Sequence, residues 1–94
     1  MTRDEIEAGI ARVARKFVGF EGELSAGQRL VEDLGLDSLK LLILAAEVEN
    51  EFLIAFAPEE EAAITTVGEL AAAVEGKLAR RASSEERGSA NMTP

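Results

Sequence analysis

Leu34-Gly35-Leu36-Asp37-Ser38-Leu39 is the stretch on which the reading of this chain turns. It closes a glycine-punctuated segment and opens the most apolar run in the sequence. Gly35 can take the positive φ that turns the chain into a helix, at no steric cost. Asp37 offers a side-chain oxygen to the orphan N–H groups of a first helical turn. That arrangement puts Ser38 at the helix start. The chain contains no Cys, His, Trp or Tyr, so the Ser38 hydroxyl is the group most like a reactive position.

C-terminal to this stretch, a helix is expected over Ser38 to Phe52. At about 100° per residue, Leu41, Leu44, Ala45, Val48 and Phe52 fall in one sector, the width of a buried face, and are expected in the core. Leu39, Leu42, Ile43 and Ala46 form a second apolar cluster on roughly the opposite side, with Lys40, Glu47 and Glu51 as a narrow polar strip between them. So small a domain can hardly bury both sides of one helix. Either the leucines of the preceding loop cover the second cluster, or it lies on the surface beside Ser38 and receives a partner. The second reading is preferred, because exposed apolar patches usually mark interaction sites.

N-terminal to it, residues 18–37 read as one long connection, punctuated by Gly19, Gly22, Ser25, Gly27 and Gly35 and anchored by Leu24, Leu30, Leu34 and Leu36. Loops this long inside compact domains are commonly functional or ordered by their own side chains. Before it, Thr2 and Glu5 stand at capping-box spacing and open a first helix whose stripe is Ile6, Ile10, Val13 and Phe17. Arg12, Arg15 and Lys16 suit the last turns of that helix, where cations favour the dipole. A solvated basic end is preferred there to a binding patch.

After Phe52 an apolar run reaches Pro58-Glu59-Glu60-Glu61. Proline at the first helical position and three acids behind it predict a short third helix to about Ile64. Ala57 has no side-chain acceptor, so that helix is expected to be marginal. Thr66 and Glu69 repeat the capping box and open a fourth helix with the stripe Val67, Leu70, Ala71, Val74 and Leu78. The fold class is therefore all-α: a small four-helix bundle of three longer helices and one short third helix, with a long loop between the first and second. The bundle is expected over residues 1–81. The segment 82–94 has almost nothing to bury and is expected to be a disordered tail.

Composition supports this class. With 47% apolar, 30% charged and only 4% aromatic residues in 94, the core must be built from Leu, Ile, Val, Ala and a few Phe, a helical palette. The net charge of -8, from 18 acids against 10 bases, repels nucleic acid and anionic membrane and favours protein partners with basic patches. No secretory signal or membrane-length apolar window is apparent, and a cytoplasmic monomer is the expectation. Without Cys there is neither a disulfide framework nor a thiolate metal site.

Ser38 could be a nucleophile or a site of modification, and the acids could suggest a metal site. A hydrolase needs a base within reach of its nucleophile, and there is no His; Lys40 points to the other side of the helix. A calcium loop of Asp-x-Asp-x-Asp-Gly spacing is absent, and the glutamate runs read as solvated faces. A serine at a helix start is suited to modification by another protein, because the helix N-terminus welcomes a phosphate ester. Spacing alone also fits a small polar residue with no further role.

Asp37-Ser38-Leu39, preceded by Glu32-Asp33-Leu34-Gly35-Leu36 and followed by a Leu-rich helix ending Glu49-Asn50-Glu51-Phe52, closely resembles the acyl carrier proteins. The likeness continues through Pro58-Glu59-Glu60-Glu61 and Ile64-Thr65-Thr66-Val67-Gly68-Glu69-Leu70 and covers roughly residues 3–80. It implies a carrier rather than an enzyme: a discrete protein whose Ser38 is esterified with 4′-phosphopantetheine by a phosphopantetheinyl transferase, using coenzyme A. Asp37 would be the helix cap beside the attachment site. Acyl-loading and acyl-using enzymes, synthases and transferases, would then exchange thioesters on the arm, in fatty-acid, polyketide or related specialised biosynthesis. The reactive thiol would belong to the cofactor, which accounts for a chain without Cys. Lys40 and Ile43 stand where acids are common in the family, so partners are expected to read Leu39, Leu42, Ile43 and Ala46, with Glu47, as much as charge. An aminoacyl or peptidyl carrier, or an unmodified interaction module of the same fold, is the alternative.

Overall fold

The computed structural model describes the backbone of residues 1–91 and the side chains of residues 1–82. Four helices follow one another: α1 (Arg3–Phe17), α2 (Ser38–Phe52), α3 (Pro58–Ala63) and α4 (Val67–Asn91). The bundle, the short third helix and the long α1–α2 loop are those expected from the sequence. Helical backbone continues beyond Arg81 to Asn91, through residues of fair helix propensity such as Ala, Glu and Arg. The expected tail over 82–94 otherwise lies outside the described residues, in its side chains from 83 onward and wholly at 92–94.

Each expected start signal is used. At α1, Glu5 N–H donates to Thr2 Oγ1 at 3.2 Å and Thr2 N–H donates to Glu5 Oε1 at 2.8 Å. At α4, Glu69 N–H donates to Thr66 Oγ1 at 3.1 Å and Thr66 N–H returns the bond to Glu69 Oε1 at 3.0 Å. Helix α3 has no side-chain cap at Ala57, as expected, yet Glu60 Oε1 accepts the Ala57 N–H at 2.7 Å. It buries no residue fully. Its tie to α4 is polar: Glu60 meets Lys77 Nζ at 2.7 Å and Arg80 Nη2 at 3.7 Å.

These carboxylates respond to their donors. The Glu5 carboxyl is held below the usual range by the Thr2 N–H, Glu60 by the Lys77 ammonium, and Glu69 chiefly by the Thr65 hydroxyl at 2.7 Å. A group whose folded pKa is lowered adds stability above the unfolded pKa and loses it as pH falls through the folded one. The wild-type chain is thus expected to be more stable than Glu69→Gln at neutral pH, with the gap closing below the ordinary carboxylate range. Thermal unfolding of both proteins over a pH series, followed by circular dichroism, measures that gap directly. Acid-relieved repulsion in a chain of charge -8 acts on both proteins and largely cancels in the difference.

The core joins one stripe from each long helix. Ile6, Ile10, Val13 and Ala14 of α1 pack with Leu44, Val48 and Phe52 of α2 and with Val67, Leu70, Ala71 and Val74 of α4. Helices α1 and α2 run antiparallel, since Gly9 lies against the Phe52 ring while Arg12 Nη2 meets Glu51 Oε2 at 2.8 Å one turn along. Leu41 and Ala45, expected in the core, are only half-buried. They face a groove described below.

The long loop is ordered by its own anchors. Leu30 and Leu36 are buried and Leu24 and Leu34 half-buried against the core. Backbone bonds that side-chain periodicity does not reveal fix it further. Leu30 N–H donates to the Thr65 carbonyl at 2.9 Å, Val67 N–H to Gln28 at 3.0 Å and Gly68 N–H to Ala26 at 2.9 Å. A Cβ at Gly68 would lie 2.9 Å from that Ala26 oxygen, so the approach requires glycine.

The C-terminus of α2 closes with Leu53 in the left-handed region, φ 56°. Arg81 of α4 reaches back to it, its Nη1 donating to the carbonyls of Phe52 at 3.1 Å and Leu53 at 2.6 Å. Two orphan carbonyls of the helix end are thereby satisfied by a cation where the dipole favours one. Arg81→Ala is expected to cost about 1 kcal/mol, read as a lower urea midpoint at unchanged m-value.

Candidate functional site

Ser38 is the first residue of α2, and its position follows from the turn before it. Gly35 has φ +71°, and a Cβ placed there would meet nothing within 4 Å, so its conformation, not space, calls for glycine. Leu36 sinks into the core at 3% exposure and pins the turn. Asp37 then caps α2, its Oδ1 accepting the Lys40 N–H at 2.8 Å. The Ser38 side chain is exposed, and among the described residues no hydrogen bond occupies its hydroxyl. The spare N–H groups of the first turn and the helix dipole provide local positive potential beside it.

On one side of Ser38 lies an open groove of about 700 Å³ between α2, the long loop and α3. Leu41, Leu42, Leu44 and Ala45 form its α2 wall, Leu30 and Val31 its loop wall, and Phe56, Pro58, Ala62 and Ile64 the opposite side. Glu32, Glu61 and Thr65 supply its polar margin. The groove is distinct from the bundle interior around Ile6, Leu44, Val48, Phe52 and Val74. Only Leu44 of those lines the groove, because the other four are close-packed core with 5% exposure or less. Val31, Pro58, Ala62 and Ile64 are lining residues the sequence reading misses. Their shared signal is weak, a scatter of apolar residues in short irregular segments whose approach depends on the loop-to-α4 backbone bonds.

The second apolar cluster continues from the groove at Leu42 round to the open face of α2. Leu39 is 65% exposed and Leu42 60%, and Ala46 is exposed too. The loop leucines turn into the core and do not cover them. Ile43 differs from its neighbours: it is half-buried and packs against the core. Glu47 is half-buried as well, and the Asn50 side-chain amide donates to it at 3.4 Å. So Ser38, Leu39, Leu42 and Ala46 share an open surface, with Ile43 and Glu47 at its inner edge. The basic end of α1 is solvated as expected at Arg15, while Arg12 pairs with Glu51 and Lys16 sits 5.3 Å over the Phe17 ring. Among the described residues there is no cluster of acids or other ligands that could hold a metal ion, and no helix is long and apolar enough to cross a membrane.

Comparison with known proteins bears on this arrangement. The sequence model of the phosphopantetheine attachment site family matches residues 8–74. The meromycolate extension acyl carrier protein of Mycobacterium tuberculosis is 32% identical over 76 residues, which are 80% of this chain and 66% of that protein. The chain thus spans slightly under two thirds of that relative's length. Among solved structures, a Mycobacterium tuberculosis protein assigned as an acyl carrier protein superposes with a TM-score of 0.59 at 39% identity, covering 82% of this chain and 93% of the other. A 3-oxo-butyl-ACP, an intermediate mimic from the actinorhodin polyketide synthase of Streptomyces coelicolor, gives 0.58 at 27% identity, covering 85% and 93%. A bundle of this topology, matched through most of its length by the phosphopantetheine attachment site, belongs to the acyl carrier protein family.

Proposed function

We propose that this chain carries acyl groups as thioesters on a 4′-phosphopantetheine arm esterified to Ser38. One observation carries the assignment of the residue. Within the matched segment, Ser38 combines an exposed, unengaged hydroxyl with a helix N-terminus and an apolar groove. A phosphodiester on that oxygen would stand in the positive field of the first turn, and the groove would meet the apolar part of the arm's cargo.

In loading, the Ser38 Oγ attacks the coenzyme A phosphorus that bears pantetheine. The Oγ–P bond forms, the pyrophosphate P–O bond breaks, and 3′,5′-ADP leaves. The hydroxyl proton passes to a base on the phosphopantetheinyl transferase, since this chain has no His and Lys40 projects from another side of α2. The chain itself is a substrate for its partners and acts as a monomer in the cytoplasm, where coenzyme A is at hand. Leu39, Leu42 and Ala46, with Ile43 and Glu47 at their edge, form the surface on which acyl-loading and acyl-using enzymes dock.

The named roles of the relatives, in meromycolate extension and in a polyketide synthase, support a fatty or polyketide cargo over an aminoacyl one. Intact-mass spectrometry of the protein from its native cell separates these cargoes. Incubation with coenzyme A and a broad-specificity transferase tests the carrier reading itself: gain of one phosphopantetheine is expected, and no gain would favour an unmodified interaction module.

A further inference from the structure

The groove beside Ser38 is apolar over most of its wall, and its polarity is of one kind. Besides Ser38, its polar side chains are Glu32 of the loop, Glu61 of α3 and Thr65. The Thr65 hydroxyl donates to Glu69 Oε1 at 2.7 Å, so its proton is committed to a carboxylate that does not line the groove. Glu61 is half-buried and Glu32 exposed, and among the described residues no cation lies within ion-pair distance of either. Glu60, one residue earlier on α3, differs: it turns to α4 and pairs with Lys77 and Arg80.

The result is a cavity with side-chain acceptors and no spare side-chain donor. Once Ser38 is esterified its oxygen carries no proton either, and the attached phosphodiester is itself an anion. An uncharged acyl chain entering the groove exchanges water for apolar walls, and about 700 Å³ lies within the range of small-molecule pockets. A chain that ends in a carboxylate must strip that group of water with no side-chain donor to receive it. It also meets Glu61 and Glu32, like charges whose repulsion is only partly screened in a half-buried setting.

We propose that Glu61, supported by Glu32, makes the groove a charge filter for cargo: it shelters uncharged acyl chains on the Ser38 arm and leaves chains that end in a carboxylate in solvent. This deepens the carrier reading and rests on it, with Ser38 as the attachment point and the groove as the seat of the cargo. Glu61 acts on where the chain resides.

The test compares octanoyl and 7-carboxyheptanoyl groups, equal in chain length, each loaded from its coenzyme A thioester by a phosphopantetheinyl transferase. Loss of the acyl group to neutral hydroxylamine is followed by intact mass and compared with loss of the same thioester from free pantetheine, which gives a protection factor for each chain. In the wild type, octanoyl is expected to be the better protected. Glu61→Gln is expected to raise the protection of the carboxylated chain relative to octanoyl about threefold to tenfold, Glu32→Gln to add to the gain, and raised salt to act in the same direction. Glu59→Gln removes the same charge at an exposed position of α3 outside the groove and is expected to leave the ratio near wild type. Equal protection of the two chains in the wild type, at any level, overturns the proposal. So does a ratio that the Glu32→Gln, Glu61→Gln double variant leaves unmoved, or that Glu59→Gln moves equally. Loading of a Ser38→Ala variant overturns the attachment point instead, and is read before any thioester is challenged.

Discussion

Ser38→Ala is expected to abolish phosphopantetheine transfer from coenzyme A while leaving the bundle folded. The two effects separate because Ser38 contributes nothing to the core: its side chain is exposed and unbonded, and α2 is capped by Asp37 rather than by the serine itself. Alanine is a good helix former at such a position, so stability should move by no more than about 0.5 kcal/mol. For a domain of this size that is a change in Tm of only about 2–4 °C. Asp37→Ala supplies the opposite pattern. It removes the acceptor of the Lys40 N–H and is expected to cost about 1 kcal/mol, lowering Tm by about 4–8 °C, yet it keeps the hydroxyl and should still be loaded. Intact-mass spectrometry and thermal unfolding of the two variants, side by side, check both halves of the argument. Loss of loading in Ser38→Ala accompanied by unfolding would deprive the result of its meaning, and loading of Ser38→Ala would refute the assignment.

The proposed docking surface can be probed by turnover with partner enzymes. Leu39→Ala and Leu42→Ala delete exposed side chains, so a fall in turnover with partner enzymes reports on docking rather than on folding. Ile43→Glu is less clean. Ile43 packs against the core, and a carboxylate there would disturb α2 for reasons unrelated to a partner.

That contrast marks where sequence periodicity stops being informative. The helix starts are legible because a capping box and an aspartate N-cap are local chemistry: Thr2 with Glu5, Thr66 with Glu69 and Asp37 with the Lys40 N–H all bond as spacing predicts. The positive φ at Gly35 is legible for the same reason. Ile43 and Leu42 belong to the same apolar cluster in the sequence, and only the packing of α2 in the bundle decides that one is half-buried and the other open. The groove is harder still. Its far wall is built from α3, whose position depends on the Glu60 ion pairs to α4 and on backbone bonds between residues 26–30 and 65–68. None of those leaves a periodic trace. The Arg81 contact at the end of α2 joins residues 28 and 29 positions apart and is equally invisible.

The largest effect on stability is expected at the contact between Phe52 and Gly9. Phe52 is the last residue of α2, 5% exposed, and its ring occupies the space a side chain at Gly9 would need. A Cβ built at Gly9 would lie 2.5 Å from the ring's Cζ, inside any real carbon contact. Phe52→Ala empties this site and is expected to cost about 3–5 kcal/mol, a large share of the roughly 5–10 kcal/mol such a domain has in total. Gly9→Ala works in the opposite direction. Alanine is worth about 1 kcal/mol more than glycine in a helix interior, but forcing the ring aside costs about 1–3 kcal/mol. The packing term should win, giving a net loss of about 1 kcal/mol. If the clash is the cause, the substitutions must couple: in a Phe52→Leu background, where the ring is gone, Gly9→Ala should become neutral or stabilising. Urea titration of the four proteins of this cycle measures the coupling. Purely additive losses would mean that Gly9 is kept for some reason other than the ring. The coupling also has a functional reading, because this contact and the Arg12–Glu51 pair hold the distal end of α2 against α1. With that end released, α2 would lose the rigid seat from which Ser38 is presented, and loading by the transferase should slow in Phe52→Ala more than its residual folded fraction alone requires.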